Sequence, residues 1–361
     1  MKARAYVSTP RPGRCGSAAA LVLCLVLALV PSGEGSGRVV PVAQEETEAL
    51  PGLPSALAAA SPGDTLLLTP GVYRGTHTLV SGVSLIGRAG PDSTILDADG
   101  GRYVLYGRDI GDTTTIAGLT LRNGRRDHAN SGGGGIYLYQ SSPVILNCVF
   151  RDHLGYLGPG VYANHRSHPV IAYCLFHDNE GYLGGAIAAY VDCDPLIYNN
   201  VVHDNAAVSG GAILALNSAP VIVRNTIVAN TASAAGGGAI YLDSSPALIE
   251  ENVIALNEGS GAVFCIDDDR PPTVRGNAFW MNVGESERSR CPAFLGLEEN
   301  HETDPLFVDL EGRTLWRQAS PGDCSGARGA GAPPWDSLEP PDLPAGILEA
   351  WRTWREEQAS H

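Results

Sequence analysis

PVILNCVFRDHLGYLGPGVYANHRSH at 143–168, PVIAYCLFHDNEGYLGGAIAAYVDCD at 169–194 and PLIYNNVVHDNAAVSGGAILALNSA at 195–219 are copies of one unit. Pro143, Pro169, Pro195, Pro220, Pro246 and Pro272 carry the unit onward at spacings of 25 or 26 residues. Each proline opens a short apolar run. Cys148, Cys174, Asn200, Asn225 and Asn277 stand five residues after it, and Asn252 is their equivalent after a one-residue slip. His153, Asn179, Asn205, Asn230, Asn257 and Asn282 follow five further on. A glycine pair and a second apolar run, such as GGAIAAY or GGAILAL, complete the unit.

Runs this short, β-branched or alternating and bounded by turn residues, are strands. Two or three of them cannot bury a core alone, so equivalent strands must pair from coil to coil at about 4.8 Å per coil. Stacked Asn residues then hydrogen-bond along the coil axis and satisfy buried turns, and glycine supplies the positive-φ bends between sheets. A βαβ fold needs helices of about 10–15 residues between strands, and the unit has no room for them. The expected fold is all-β, a right-handed parallel β-helix solenoid with short capping helices. The stack places Cys148 beside Cys174 as free thiols, because in-register Cβ vectors are parallel. Cys291 and Cys324, in the irregular C-terminal region, are the better candidates for a bridge.

These units resemble the right-handed parallel β-helix repeats of the pectate-lyase-like superfamily, in their exported bacterial form. LPSALAAASPGDTLLLTPGVYRGTHTLVSGVSLIGRAGPDSTILDADG at 53–100 is similar to the first coils of that superfamily, and DPLFVD with SPGDCSGARGAG to its C-terminal end. The resemblance covers residues 45–330 and implies fold more than function, since the superfamily holds lyases, hydrolases, esterases, epimerases and adhesins. The chain lacks the RIK-like, WIDH-like and DPHD-like motifs of several of its enzymes.

Ahead of the repeats, Lys2, Arg4, Arg11 and Arg14 precede the apolar run from Ala18 to Val30, followed by small residues. That is the pattern of a signal peptide over 1–36, too short to span a bilayer. The expected location is therefore secreted or periplasmic. Removing 1–36 takes four basic residues and Glu34 from a net charge of -15, leaving -18 and no lysine. A lysine base or Schiff base is excluded, and nucleic acid is excluded as a partner because no basic face exists. No other apolar stretch is long enough for a membrane span, and a monomer is expected. Residues 53–60 read as a helix capping the first coil. A Pro-rich linker opens the 331–361 segment, whose AGILEAWRTWREEQ at 345–358 reads as an amphipathic helix with Ile347, Leu348, Trp351 and Trp354 on one face. It is expected to dock on the last coil or to bind a partner.

Strand alternation turns Arg151, His177 and His203 outward in one column, followed by Asp152, Asp178 and Asp204. Carboxylates stacked at that spacing repel, which favours a retained proton or a bound cation. Together these six residues are candidates for catalysis, with His as base, a protonated carboxyl as acid and Arg151 binding negative charge. Tyr137, Tyr139, Tyr162, Tyr190, Tyr241 and Phe264 form an outward aromatic stripe suited to stacking on sugars. Two further clusters are Arg125, Arg126, Asp127, His128 and Asn130, and His165, Arg166 and His168. Asp192-Cys193-Asp194 and Asp267-Asp268-Asp269 offer hard oxygen ligands for Ca²⁺, each without a full set. No other cofactor is expected. The expected function is a carbohydrate-binding or adhesive surface facing a polysaccharide or cell-surface glycan. The alternative is a polysaccharide lyase or glycoside hydrolase.

Overall fold

The computed structural model describes residues 37–125, 132–233, 236–267, 269–284, 289–293, 295–305, 307–309, 314–317 and 345–359. Residues 1–36, read above as a signal peptide, Cys324 and the whole Pro-rich linker lie outside them. Each coil passes through three long parallel sheets. Sheet A has 10 strands, from Val39–Val42 to Thr273–Arg275. Sheet B has 10, from Gly71–Arg74 to His301–Glu302, and sheet C has 8, from His77–Thr78 to Val263–Cys265. A short sheet D inserts between B and C, with strands Leu154–Leu157, Glu180–Leu183, Ala206–Ala207 and Thr231–Ala232. The first strand of sheet A precedes residue 45, so the stack starts upstream of the recognisable repeats. Helix α1 (Leu53–Ala59) covers the first coil, burying Leu53, Ala56 and Leu57.

Central residues of the three-residue strands point inward and stack on their own kind. Ile145, Ile171, Ile197 and Ile222 do so in sheet A. In sheet B, Phe150 and Phe176 stack with ring centroids 4.6 Å apart. Two buried ladders tie the coils. Between sheets A and B, Cys174 N–H donates to Asn200 Oδ1, and Asn200, Asn225, Asn252 and Asn277 each donate to the next Asn, ending at Asn300. Beyond sheet B, His153, Asn179, Asn205, Asn230 and Asn257 do the same, ending at Asn282. Asn230 shows the economy of the arrangement. Its N–H and Nδ2 both donate to Asn257 Oδ1 at 3.0 Å, and Nδ2 also reaches the Val202 and Val228 carbonyls. A third ladder, unread in the sequence, joins Ser141, Ser167, Cys193, Ser218 and Ser245 at the turn from sheet C to sheet A.

Three expectations are corrected. Glycine supplies the positive-φ bend before sheet C, at Gly133, Gly158, Gly184 and Gly210, but rarely the one just before the first ladder, where Asn147, Tyr173, Asn199, Arg224 and Glu251 adopt φ between 47° and 58°. Asn and Asp tolerate this region, and the ladder compensates the others. Cys291 bonds to Cys265 and not to Cys324, with Cα atoms 4.9 Å apart. Cys291 follows Arg290, whose N–H donates to the Cys265 carbonyl, so the chain has already brought the two thiols together. Cys148 and Cys174 are free and buried, as expected. The last correction concerns helix α2 (Ala345–Ala359). It does not cap the last coil but lies on the outer face of sheet A. Trp351 Nε1 donates to the Asp194 carbonyl at 2.9 Å, and Trp354 Nε1 to that of Ala219 at 3.1 Å. Sheet A is apolar on both faces. Leu146, Val170, Ala172, Leu196, Val221 and Val223 point outward, and α2 covers them.

His153 occupies an Asn position of the second ladder. Its Nδ1 accepts from Gly124 N–H, its Nε2 is buried with no partner, and burial drives its pKa down to about 3. The folded state keeps it neutral, so its stabilisation is complete above the unfolded pKa near 6.5 and is lost as pH falls towards 3, at up to about 1.4 kcal/mol per pH unit. His153→Asn restores the ladder residue. We expect that variant to match the native protein in urea unfolding at pH 7 and to be the more stable of the two at pH 4.5. Equal acid sensitivity of the two proteins counts against the assignment. Truncation before Ala345 should expose the outer face of sheet A and raise binding of a hydrophobic dye such as ANS, with the solenoid's far-UV circular dichroism retained.

Candidate functional site

Arg151, His177 and His203 are direct neighbours across sheet B, in the expected register. The column also extends upstream through Arg122 and Asp97 to Arg74, which the proline-based repeat did not reveal. The earlier coils begin without the proline, and only TILDADG and TLRNG, aligned on VFRDH, could have shown it. Asp97 is buried, and its carboxylate accepts from Arg122 Nε at 2.8 Å and Asn123 Nδ2 at 2.9 Å. Burial pushes its pKa up, but the Asn123, Asp99 and Arg122 donors together hold it below the ordinary value.

Each of the three carboxylates has a side-chain neighbour of its own. Asp152 pairs with the Arg151 guanidinium. Asp178 Oδ2 lies 2.7 Å from His177 Nδ1, and Asp204 Oδ2 lies 2.7 Å from His203 Nδ1. An ionised carboxylate only accepts, so each Nδ1 carries the proton and Nε2 is the basic nitrogen. The two imidazoles stack with centroids 5.4 Å apart and planes 5° from parallel. Asp152, Asp178 and Asp204 have φ of 58°, 53° and 51°, which suits Asp as a turn residue. Yet Ala229, Leu256 and Met281 take the same conformation in the next three coils. There the preceding residues are Val228, Ala255 and Trp280. Aspartate thus occurs only where Arg or His precedes it, and the turn itself does not require it. Exposure falls along the column: the His177 side chain is 18% exposed and that of His203 8%. His203 is therefore buried, against the outward exposure expected for it.

The tyrosines lie elsewhere, on sheet C, and fall into two columns. Tyr106, Tyr137, Tyr162, Ala188, Leu214, Tyr241 and Phe264 form one. Arg108, Tyr139, Asn164, Tyr190, Leu216 and Asp243 form the other. Tyr162 and Phe264 are buried, which corrects their assignment to an exposed stripe. The backbone of Gly132 lies on the Tyr162 ring, where a Cβ would come within 1.9 Å of Cδ1. Leu157 and Leu183 of sheet D also pack on these outward side chains, so sheets C and D meet at an apolar corner. The rings in that corner are continuous: Tyr103 stacks on Tyr106 at 5.4 Å, Tyr106 meets Tyr137 at 5.5 Å, and Tyr137 stacks on Tyr162 at 5.2 Å. Tyr156 and Tyr182, in the repeated GYLG of sheet D, stack at 4.8 Å, and Tyr182 is 47% exposed. The 26-residue spacing of GYLG was the available signal for this pair.

At the strand ends the structure joins residues that the sequence left apart. Arg108 lies over the Tyr139 ring at 4.9 Å, Tyr139 stacks on His165 at 5.3 Å, and His165 meets Tyr190 edge-on. Asn164 Nδ2 donates to the Tyr137 hydroxyl. His168 turns away to Asp194, whose Oδ1 accepts from Ala219 N–H, so Asp194 is already engaged. Asp267 accepts from Ser244. No group of three His, Cys, Asp or Glu side chains suited to a metal ion occurs among the described residues. Asp268 and residues 126–130, with Arg126, Asp127, His128 and Asn130, lie outside them. Arg125 bridges to Leu154 of sheet D.

Residues 93–218 and 134–286 match a family model described as the right handed beta helix region. No curated protein matches the sequence. Among solved structures the fold is similar to that of the pectate lyase Pel9A. Identity is 16% over 82% of this chain and 92% of that one, with a TM-score of 0.51. A pectin methylesterase from Yersinia enterocolitica aligns at 13% identity over 67% of this chain and 94% of its own, with a TM-score of 0.37. A PL6 family alginate lyase, AlyGC, aligns at 15% over 67% and 38%, also with a TM-score of 0.37. Within the polar column, Asp178→Ala should cost less than about 1 kcal/mol in urea unfolding, because the carboxylate is 40% exposed and Ala229 already occupies the equivalent turn. A larger loss would make the His–Asp pair a structural element of the coil.

Proposed function

Because this chain belongs to the right-handed β-helix family, we propose that it is an exported protein that binds a polysaccharide or cell-surface glycan in the corner between sheets C and D. The observation that carries this reading is the run of partly exposed rings Tyr103, Tyr106 and Tyr137, closed at one end by the buried Tyr162, with Arg108, Tyr139, His165 and Tyr190 along its edge. Rings spaced by coils offer successive sugar units a stacking face, and the phenol and Asn164 groups supply hydrogen bonds. The N-terminal pattern supports export, and no helix among the described residues is long and apolar enough to cross a membrane. A body charge of -18 after removal of 1–36 favours neutral chains along most of the surface.

A second reading is favoured by the pairing of Asp152, Asp178 and Asp204 with Arg151, His177 and His203 alone. Asp178 and Asp204 each orient an imidazole so that Nε2 is basic, the arrangement of a general base, while Asp152 pairs with the Arg151 guanidinium. In this reading the column carries out lyase or hydrolase chemistry. One panel separates the two. Affinity electrophoresis against neutral and acidic polysaccharides reads binding, while absorbance at 235 nm and reducing-end release, with and without Ca²⁺, read turnover. Tyr137→Ala with Tyr139→Ala should weaken glycan binding by about tenfold or more, and His177→Ala with Asp178→Asn should leave it unchanged. Retention of binding in the tyrosine variant removes the corner as the site, and turnover lost only in the histidine variant establishes the enzymatic reading.

A further inference from the structure

Where helix α2 lies on the solenoid, it closes a cleft of about 720 Å³ against the turns that lead from sheet C to sheet A. That volume is in the range of small-molecule sites, about 300–1,000 Å³. The helix contributes Arg352 and Arg355, and the turns contribute Arg166 and Arg270. Asp192, Asp194 and Glu356 line the same cleft, so four guanidinium groups face three carboxylates, a local excess of positive charge in a chain with 24 basic against 39 acidic residues.

Two of the four, Arg166 and Arg355, have a carboxylate only at the edge of ion-pair range. Arg355 Nε is buried without a hydrogen-bond partner, and the nearest carboxylate oxygen, Asp194 Oδ2, stands 3.9 Å away. Asp194 Oδ1 accepts from Ala219 N–H and the Asp194 backbone N–H donates to His168 Nδ1, so the Asp194 carboxylate keeps its charge near Arg355. Arg166 Nε and Asp192 Oδ2 are likewise 3.9 Å apart. Arg352 and Arg355 are three residues apart on one helix face, where like charges repel. The Arg355 guanidinium stacks over Trp351 at 5.1 Å, which holds its plane in place. Burial also pulls its pKa below the ordinary value, as expected for a cation lacking a full counter-charge. Asn217 at the rim adds an amide.

We propose that this cleft binds an anionic monosaccharide unit, a sugar acid or a sugar phosphate, with its oxyanion held by Arg352, Arg355 and Arg270. Guanidinium forks match carboxylate and phosphate oxygens in bidentate pairs, and the cleft exceeds the size of a bare ion. The site is distinct from the tyrosine corner and does not depend on it. It exists only while α2 is docked, so the ligand and the helix stabilise each other.

Isothermal titration calorimetry on the full chain tests this with galacturonate, glucose 6-phosphate, inorganic phosphate and glucose as probes. We expect saturable binding of galacturonate or glucose 6-phosphate, whichever binds more tightly identifying the anion, with glucose and inorganic phosphate weaker by about tenfold or more. Arg270→Gln and Arg352→Gln, both at exposed positions, should each lower that affinity by about tenfold. Arg270 lies on the solenoid, so its replacement cannot act by releasing the helix. Polysaccharide binding at the tyrosine corner should survive both changes, which separates failure of this site from failure of the corner. Absence of saturable binding by either sugar anion overturns the proposal. So does equal binding of inorganic phosphate, or an affinity unchanged in both variants.

Discussion

Every outward feature of this molecule rests on the hydrogen bond from the backbone N–H of one ladder residue to the side-chain oxygen of its equivalent in the next coil. A solenoid turn takes polar backbone into a dry interior, and an unsatisfied buried group costs roughly 1–3 kcal/mol. Asn is suited to the position because its amide donates and accepts together, as Asn205, Asn230 and Asn257 do in sequence. The same bond fixes register, since a coil displaced by one residue would place a strand residue where the amide belongs. Once register is fixed, the column from Arg74 to His203 and the tyrosine columns follow as consequences.

The three sheets differ in what lies outside them. Sheet A is apolar on both faces and is covered by α2. Sheet B carries charge along its early coils and apolar residues along the later ones. Sheet C carries rings, and sheet D folds against them to form the apolar corner. A single 26-residue unit thus yields three surfaces of different chemistry, because its outward positions vary independently while its inward strand positions stay apolar.

Copying a side chain from coil to coil sets its environment as well as its position. His177 and His203 have identical partners, yet one is partly exposed and the other buried. Tyr137 and Tyr162 are neighbours in one column, yet Gly132 covers only the second. A repeat defines a candidate face, and neighbouring insertions decide which members of that face meet solvent.

The fold was legible because its determinants are local and periodic. Proline spacing, the Asn positions and the alternation of PVIL, PVIA and PLIY predicted sheets, register and ladders, and stacking then required parallel pairing. The Arg151, His177 and His203 column was legible for the same reason, although its upstream half was hidden in coils without the proline. Three features depended on contacts between residues far apart in sequence. Cys291 found Cys265 because the chain returned after one coil, at a separation of 26 residues that matches the repeat, but the degenerate last coils hid that signal. The tyrosines read as one outward stripe until sheet C divided them into two columns and buried Tyr162 and Phe264. Helix α2 was evident as an amphipathic segment, but only its burial of Trp351 against residues some 150 positions earlier, with the indole N–H on the Asp194 carbonyl, decided that it covers a flank and not an end.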